Sequence, residues 1–176
     1  MAATASQRSR RAQAARNRRV WARLLADPRY AGIPGRVETD REGQVVMSPP
    51  PSHRHSRRQF RIGSLLEALM PDGFVLTECA VSTREGVKAT DVAWFNPARK
   101  AEAEGIELPE RAPDICVEVL SPSNAAGSIE TKAALYFEGG AEEVWVCGLD
   151  GRMAFRRSGG PFARSRLCPA FPVEPK

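Results

Sequence analysis

The chain has 176 residues, which is enough for one domain with a sizeable core. Its hydrophobic fraction of 42% and its charged fraction of 27% exclude wholesale disorder. No apolar run approaches the ~20 residues that a membrane-spanning helix needs, and the basic N-terminus lacks the apolar segment of a secretory signal, so we expect a cytoplasmic protein.

The net charge of +5 is unevenly distributed along the chain. The first 30 residues contain eight arginines and a single acid, whereas the other 146 contain 18 basic and 20 acidic side chains. We therefore divide the chain into a basic N-terminal arm, residues 1–30, and one domain, residues 31–176. Such an arm could contact nucleic acid, or it could be a solubilising and partly disordered leader.

The first predicted elements are short. An apolar cluster predicts a helix over residues 16–26, which ends before Asp27-Pro28. The pattern in residues 35–47 predicts two strands joined by a turn. Three consecutive prolines at 49–51 then form a rigid break.

A longer helix is predicted from Ser52, which can cap its first turn, to about Met70. One stripe at helical spacing holds His55, Gln59, Ile62, Leu66 and Leu69. A second stripe holds four arginines, Arg54, Arg57, Arg58 and Arg61. We expect the first stripe to pack the helix on a sheet and to carry His55 and Gln59 toward the sheet's end. The arginine stripe could be an ordinary solvated face or could contact phosphates.

Residues 74–82 and 87–95 alternate in polarity and predict two antiparallel strands joined by a turn. Asp91 lies in the second strand, and Glu78 points to the same side as Asp91 if the hairpin register allows it. Strict alternation predicts that one face of the first strand holds Leu76, Glu78 and Ala80.

Residues 96–113 are polar and rich in Glu and Pro, so we expect a long exposed loop that contains a helical turn. Residues 115–120 then predict a short buried strand whose single charged residue is Glu118. The stretch Ser121-Pro122-Ser123-Asn124 ends this strand.

The next predicted helix begins at Ala125 or Ser128 and ends at Glu138, before two glycines. Its inner face holds Ile129, Lys132, Ala133 and Tyr136. Residues 143–148 predict another buried strand with a hairpin partner at 152–156, and the segment from Pro161 is weakly specified. This order of elements predicts a mixed α/β domain with one sheet flanked by helices.

Asp91 and Glu118 interrupt strands that otherwise read as buried. Buried carboxylates are costly unless they are paired, and a divalent cation is one partner that would justify two of them. If they lie at one end of neighbouring strands, they can share Mg²⁺ or Mn²⁺, with the main-chain carbonyl of Val119 as a further ligand. Lys132 would then orient the attacking water or stabilise the developing charge, as phosphodiester hydrolysis requires. Alternatively, these acids are hydrogen-bonded to the backbone or paired with Lys132 alone.

Several other residues have simpler interpretations. The four cysteines form no CxxC pair, and we expect reduced core thiols rather than a zinc site. Asp114 is interpreted as a polar residue at the start of a strand, and Trp94 and Trp145 as core aromatics. Glu38 either approaches the acids or is merely a surface residue of its strand.

Several blocks of the sequence resemble one known family. The blocks are Met47 to Pro51 followed by His55, Gly86 to Trp94, Pro113 to Ser123, Lys132 with Tyr136, and Glu142 to Val146. Over residues 36–145 they resemble the Uma-two endonuclease family of the PD-(D/E)XK superfamily. The block Glu-Val-Leu-Ser-Pro-Ser, which begins at Glu118 and is followed by a lysine, is the most specific part.

The resemblance implies a restriction-endonuclease-like core, in which a mixed central sheet is flanked by helices. It also implies that Asp91 and Glu118 are metal ligands and that Lys132 is the catalytic lysine. Two positions depart from the superfamily pattern, because threonine replaces proline before Asp91 and Leu120 stands where the simplest pattern has lysine. The lysine must therefore come from the next helix, where Ser128 occupies a position at which relatives often carry an acid.

We therefore expect an endonuclease that hydrolyses DNA with Mg²⁺ or Mn²⁺. The residues expected around its catalytic groups are His55, Gln59, Glu78 and Tyr136.

The alternative is a nuclease fold that binds nucleic acid or protein without catalysis. The nearly neutral body of the domain favours this alternative, whereas the retained acids and lysine favour catalysis. Cleavage of both strands of a duplex would need two sites, so a homodimer is also considered.

Overall fold

The computed structural model describes residues 5–30, 35–122 and 127–175. Its helices are α1 (Ala5–Ala26), α2 (His53–Leu69), α3 (Lys100–Gly105) and α4 (Ser128–Glu138). Its strands are β1 (Arg36–Thr39), β2 (Val45–Ser48), β3 (Phe74–Thr83), β4 (Gly86–Phe95), β5 (Ile115–Val119), β6 (Glu143–Cys147), β7 (Met153–Arg157) and β8 (Gly160–Phe162). In these three stretches, no helix has the combination of length and apolar composition that crossing a membrane requires.

The strands β3 to β8 form one sheet in chain order, and β1 pairs with β2 in a separate hairpin. Neighbouring strands of the large sheet are antiparallel except β5 and β6, which run parallel and are connected through α4. This topology confirms the predicted mixed sheet with flanking helices. It adds β8, which lies in the segment that the sequence specified only weakly.

The two faces of the sheet pack against different helices. The face that carries α2 is filled by a cluster that includes Ile62, Leu66, Val92, Val117 and Trp145. The face that carries α4 is filled by a cluster that includes Cys116, Ala133, Tyr136 and Val144. Because side chains alternate along a strand, Glu118 lies on the same face of β5 as Cys116 and therefore faces α4.

Helix α2 begins and ends close to the predicted positions. The Ser52 hydroxyl caps it by accepting a hydrogen bond from the His55 backbone amide at 3.3 Å. Gln59, Ile62 and Leu66 are buried as the stripe predicts, but Leu69 is 39% exposed. The buried stripe therefore ends at Leu66, one turn before the end of the helix.

Helix α1 is longer than predicted, because it begins at Ala5 rather than near residue 16. Alanine, arginine and glutamine all favour helix, so the helix extends beyond the apolar cluster that identifies its second half. The helix also packs on the domain. The buried Asn17 amide donates to the Ser82 hydroxyl at 2.9 Å and to the Thr83 carbonyl at 2.8 Å. The division at residue 30 into an arm and a domain stays a prediction.

Strand β3 departs from the predicted alternation at Glu78. Leu76 and Cys79 belong to the same apolar cluster, although strict alternation would put them on opposite faces. The cause is the backbone of Glu78, whose φ of 52° lies in the left-handed region that non-glycine residues rarely adopt. The prediction that Leu76, Glu78 and Ala80 share one face is therefore wrong for the second half of the strand.

The segment 96–113 is less exposed than predicted. It forms a short 3-10 turn, Pro97–Arg99, followed by α3. The buried Arg99 guanidinium donates to the carbonyls of Ala112 at 2.8 Å and Arg111 at 3.0 Å, which closes the segment on itself. Asp114 has the structural role expected of it, because it is buried and accepts the Asn96 backbone amide at 2.9 Å.

The C-terminal segment completes the core rather than extending from it. Cys168 and Phe171 join the cluster beneath α2, and the Phe171 ring lies 4.7 Å from that of Trp145. All four cysteines are buried and unpaired, as predicted for reduced core thiols. The predicted turn residues Ser123 and Asn124 and the alternative helix start at Ala125 lie outside the described residues.

Candidate active site

The site lies where β4 and β5 stop pairing through their backbones. Their ladder runs from Trp94 opposite Ile115 to Val92 opposite Val117. Beyond it, side chains replace the backbone bonds. The Thr90 hydroxyl donates to the Val117 carbonyl at 2.9 Å, and the Val119 amide donates to Oδ2 of Asp91 at 2.5 Å.

Asp91 is 1% exposed and is surrounded by donors. Its Oδ1 atom accepts from Nη2 of Arg36, and it lies 3.1 Å from Nε2 of His55. Burial raises the pKa of this carboxyl, but the His55 hydrogen bond, the Arg36 charge and the Val119 amide outweigh burial and lower the pKa below its ordinary value. Asp91 is therefore held as a carboxylate.

Glu78 lies next to Asp91 on the neighbouring strand. The flanking pairs, Thr77 with Val92 and Cys79 with Thr90, place Glu78 opposite Asp91 in the register. Arg36 joins the two acids, because its Nε and Nη2 atoms donate to Glu78 at 2.8 and 2.9 Å.

Gln59 of α2 also bridges the two strands. Its amide donates to Oε1 of Glu78 at 3.0 Å and to the main-chain carbonyl of Asp91 at 2.9 Å. The helix that carries His55 is thus attached to both acids.

Glu118 has a separate set of partners on α4. Its Oε1 accepts from the Tyr136 hydroxyl at 2.7 Å, and its Oε2 lies 3.3 Å from Nζ of Lys132. Burial raises the pKa of Glu118 to about 7, even though the Lys132 charge and the Tyr136 hydrogen bond act to lower it. The charge of Asp91 adds to the increase, so the two acids interact electrostatically.

Lys132 lies between two acids. Besides Glu118, its ammonium contacts Oε1 of Glu38 at 3.0 Å and donates to the Ala89 carbonyl at 3.1 Å. Burial lowers the pKa of Lys132, but attraction to Glu118 and Glu38 outweighs burial and raises the pKa above its ordinary value. Lys132 is therefore a fixed cation.

The chemistry of the donors fits a divalent cation. One ligand atom from each of His55, Glu78 and Asp91 lies within 4.8 Å of the others. Carboxylate oxygens suit Mg²⁺ and Mn²⁺, and an imidazole nitrogen is acceptable to Mn²⁺. The Arg36 guanidinium contacts both acids of this group, so an ion bound there would have to displace it.

The structure brings together most of the residues that the sequence selects. They are His55, Gln59, Glu78, Asp91, Glu118, Lys132 and Tyr136. The arginine stripe of α2 is not part of this cluster, and Arg58 instead donates to the carbonyls of Gly148 at 2.9 Å and Leu149 at 2.7 Å. The main-chain carbonyl of Val119 stays a predicted ligand.

Two contributors from β1 are absent from the sequence-based selection. The sequence patterns do not identify Arg36, and they leave two interpretations of Glu38, a residue near the acids or a surface residue of its strand. The structure gives Glu38 a contact with Lys132 and a hydrogen bond from the Ala89 amide at 3.1 Å. Charges at positions i and i+2 of a short strand share one face, and that pattern is the signal that could have identified the pair.

Comparison with known proteins bears on the fold and the family of the chain. A solved structure of "a putative nuclease belonging to DUF820 from Anabaena variabilis ATCC 29413" is similar to the chain, with a TM-score of 0.59 and 20% sequence identity. The similarity covers 69% of this chain and 71% of that one, and it shows a shared fold. No curated protein matches the chain. Residues 27–158 match the family model Uma2, described as "Putative restriction endonuclease", and the chain therefore belongs to the Uma2 family.

Proposed function

We propose that this chain is a metal-dependent endonuclease that hydrolyses DNA phosphodiester bonds. The observation that carries the proposal is the convergence of Asp91, Glu118 and Lys132 where β4 and β5 part. Family membership supports a nuclease role, while the metal and the DNA substrate are our inference.

The charges at the site support a bound cation. The acids are Glu38, Glu78, Asp91 and Glu118, and the cations in contact with them are Arg36 and Lys132. When all four acids are ionised, two negative charges remain uncompensated at a site in which Asp91 and Glu118 are buried and Glu78 is exposed. Such charges are unfavourable unless a counterion neutralises them, and a divalent ion would do so.

The ligands that we propose are Asp91, Glu118 and the main-chain carbonyl of Val119. Among the described residues, Asp91 groups with His55 and Glu78, whose ligand atoms lie within 4.8 Å of its own, and Glu118 is not part of that group. His55 and Glu78 are therefore near enough to Asp91 to contribute. A bound Mg²⁺ or Mn²⁺ would supply a water of lowered pKa and would neutralise charge on the scissile phosphate. The other contributions to catalysis that we propose come from side chains of this chain.

Lys132 acts in this proposal as a cation and not as a base. Its raised pKa keeps the ammonium protonated, and its contacts with Glu118, Glu38 and the Ala89 carbonyl fix its position. A fixed ammonium can orient the attacking water and stabilise the negative charge that develops on the phosphate.

A second candidate is a nuclease fold that binds nucleic acid or protein without catalysis. The observation that favours it is the internal pairing of the acids. Arg36, His55 and the Val119 amide occupy the oxygens of Asp91, and Tyr136 and Lys132 occupy those of Glu118. A set of acids satisfied in this way is stable without a metal.

The test is cleavage of plasmid and linear DNA in Mg²⁺ or Mn²⁺. We expect Asp91→Asn, Glu118→Gln and Lys132→Met to abolish cleavage while circular dichroism shows an intact fold. Glu67→Gln removes an exposed acid of α2 and serves as the control. Cleavage that survives in all three site variants would refute the assignment.

Salt-dependent DNA binding without cleavage by the wild type would favour the binding module. Conversion of nicked to linear plasmid would be consistent with the homodimer that duplex cleavage calls for.

A further inference from the structure

A basic pocket of 530 Å³ lies along the outer face of α2, beside the turn between β6 and β7. Arg54, Arg57, Arg58 and Arg61 line it. None of its lining residues, among those that the structure describes, is acidic. A second arginine-lined pocket beside α1 differs in this respect, since Asp27 and Glu42 belong to its lining. The α2 pocket therefore has the greater excess of positive charge.

One arginine of this pocket is structural, and the other three have no partner in the described part of the chain. Arg58 is held by the carbonyls of Gly148 and Leu149. Arg54, Arg57 and Arg61 are exposed and make no hydrogen bond or ion pair with the described part of the chain. Like charges three or four residues apart on a helix repel one another, so this stripe is unfavourable in the free protein. A polyanion would remove that repulsion.

An exposed aromatic ring lies in the same pocket. Phe60 is 72% exposed and lines the pocket with the arginines. It follows Arg57 by three residues, so the two side chains are neighbours on the helix surface. An aromatic ring among basic side chains is the arrangement on which unpaired bases stack while their phosphates are neutralised, whereas a base in an intact duplex has no free face to offer.

We infer that this face of α2 binds an unpaired strand of nucleic acid, with its phosphates on Arg54, Arg57 and Arg61 and a base on Phe60. The inference rests on the proposed function and narrows its substrate to single-stranded DNA or to duplexes with single-stranded ends. Helix α2 also connects this face to the catalytic site, because its first turn holds His55, 3.1 Å from Asp91. A strand bound along this face of α2 therefore extends toward the carboxylate of Asp91.

The test is the binding of fluorescein-labelled oligothymidylate, and of a labelled blunt duplex of the same length, measured by fluorescence anisotropy in EDTA. We expect the wild type to prefer the single strand. Phe60→Ala should weaken single-strand binding about ten-fold and leave duplex binding unchanged, and Phe60→Tyr should retain the affinity. The combined change Arg54→Gln, Arg57→Gln and Arg61→Gln should weaken binding of both ligands and reduce its dependence on salt.

The matched control, Arg10→Gln with Arg11→Gln, removes two arginines of α1 that are exposed and have no partner among the residues that the structure describes. It should change single-strand affinity less than the α2 triple variant does. Single-strand affinity that is unaffected by Phe60→Ala would overturn the inference. An equal loss of single-strand affinity in the control variant would also overturn it. If the wild type binds neither oligonucleotide at low salt, the inference fails and the surface fits an acidic protein better. Because EDTA prevents metal-dependent cleavage, these results are independent of the cleavage assay, and the proposed function can fail while this binding holds.

Discussion

The guanidinium of Arg36 donates to Oδ1 of Asp91, the same oxygen that contacts His55. Arg36 also donates two hydrogen bonds to Glu78, so it contacts two of the three residues whose ligand atoms cluster within 4.8 Å. One arginine side chain thus pairs with both acids and offsets one of their two negative charges. A metal ion at this position would compete with the Arg36 guanidinium for the same oxygens.

We expect Arg36→Met to tighten Mn²⁺ binding about ten-fold, because the ion no longer displaces a charge-assisted hydrogen bond. Without metal, the same variant should lose about 3 kcal/mol of stability, because the buried Asp91 carboxylate loses a charged partner. Calorimetric titration and thermal melts with and without Mn²⁺ measure both effects. The added ion should raise the melting temperature of the variant more than that of the wild type.

Arg29→Met is the matched control, since Arg29 is exposed and paired with Asp27 at 2.7 Å on the surface. It should change neither the metal affinity nor the stability appreciably. Weaker Mn²⁺ binding by Arg36→Met than by the control would show that Arg36 helps to hold the ion rather than competing with it.

Sequence patterns predict those site residues that follow the regular spacing of a single strand or helix. Asp91 and Glu118 are identified because acids are unusual in buried strands, and each lies directly beyond the end of the β4–β5 ladder at Val92 and Val117. Lys132 and Tyr136 are identified because residues i and i+4 of a helix share one face. Both rules need only the neighbouring residues.

The rest of the site depends on contacts between distant segments. Arg36 and Glu38 reach it because the β1–β2 hairpin packs against β4, where the Val87 amide donates to the Thr39 hydroxyl at 2.9 Å. Glu78 depends on a left-handed backbone conformation that its residue type does not favour. The i, i+2 spacing of Arg36 and Glu38 places both on one face of β1, but no local pattern specifies what that face packs against or the backbone conformation of Glu78.

Glu143 is a further buried acid, and we expect it to be structural. Its carboxylate accepts hydrogen bonds from the Trp145 indole at 2.8 Å, the Ser165 hydroxyl at 2.7 Å and the backbone amides of Arg166 and Leu167 at 2.8 and 3.1 Å. Glu143→Gln replaces one acceptor oxygen with a donor that faces other donors, so it should cost about 3 kcal/mol. Urea unfolding measures this loss. Unchanged Mn²⁺ affinity should accompany it, and a loss of metal binding from the folded variant would contradict the structural role.

Tyr136 stabilises the ionised form of Glu118 through its hydrogen bond at 2.7 Å. Burial and the Glu118 charge raise the pKa of Tyr136 well above its ordinary value, so its hydroxyl stays a donor. Tyr136→Phe should therefore raise the pKa of Glu118 and shift the pH at which Mn²⁺ binds to a higher value. Calorimetric titrations at several pH values check this shift. Tyr30→Phe, the same change at the chain's other tyrosine, should leave the profile unmoved. Coincident profiles for Tyr136→Phe and wild type would exclude this role.

Glu118 should make the metal-free protein less stable as the pH rises. Its pKa is about 7 in the folded protein, mainly because of burial, and 4.5 is its ordinary value. Between these two values the unfolded chain releases the proton and the folded protein keeps it. The free energy of unfolding therefore falls as the pH rises through this range, by about 3 kcal/mol in all, and this contribution is constant above pH 7.

In the Glu118→Gln variant the side chain at this position cannot ionise. The stability of the variant relative to the wild type should therefore increase from pH 4.5 to pH 7 and then level off. Urea unfolding of both proteins in EDTA across this range measures the difference. Asp91 does not contribute to the change in this pH range. Its lowered pKa stabilises the folded protein above pH 3.8, the ordinary pKa of an aspartate, and this stabilisation is lost only at lower pH. A difference between the two proteins that stays constant across the range would mean that Glu118 is ionised in the folded protein at every pH tested. Lys132, Tyr136 and the Arg36 charge would then have to offset the cost of that buried charge.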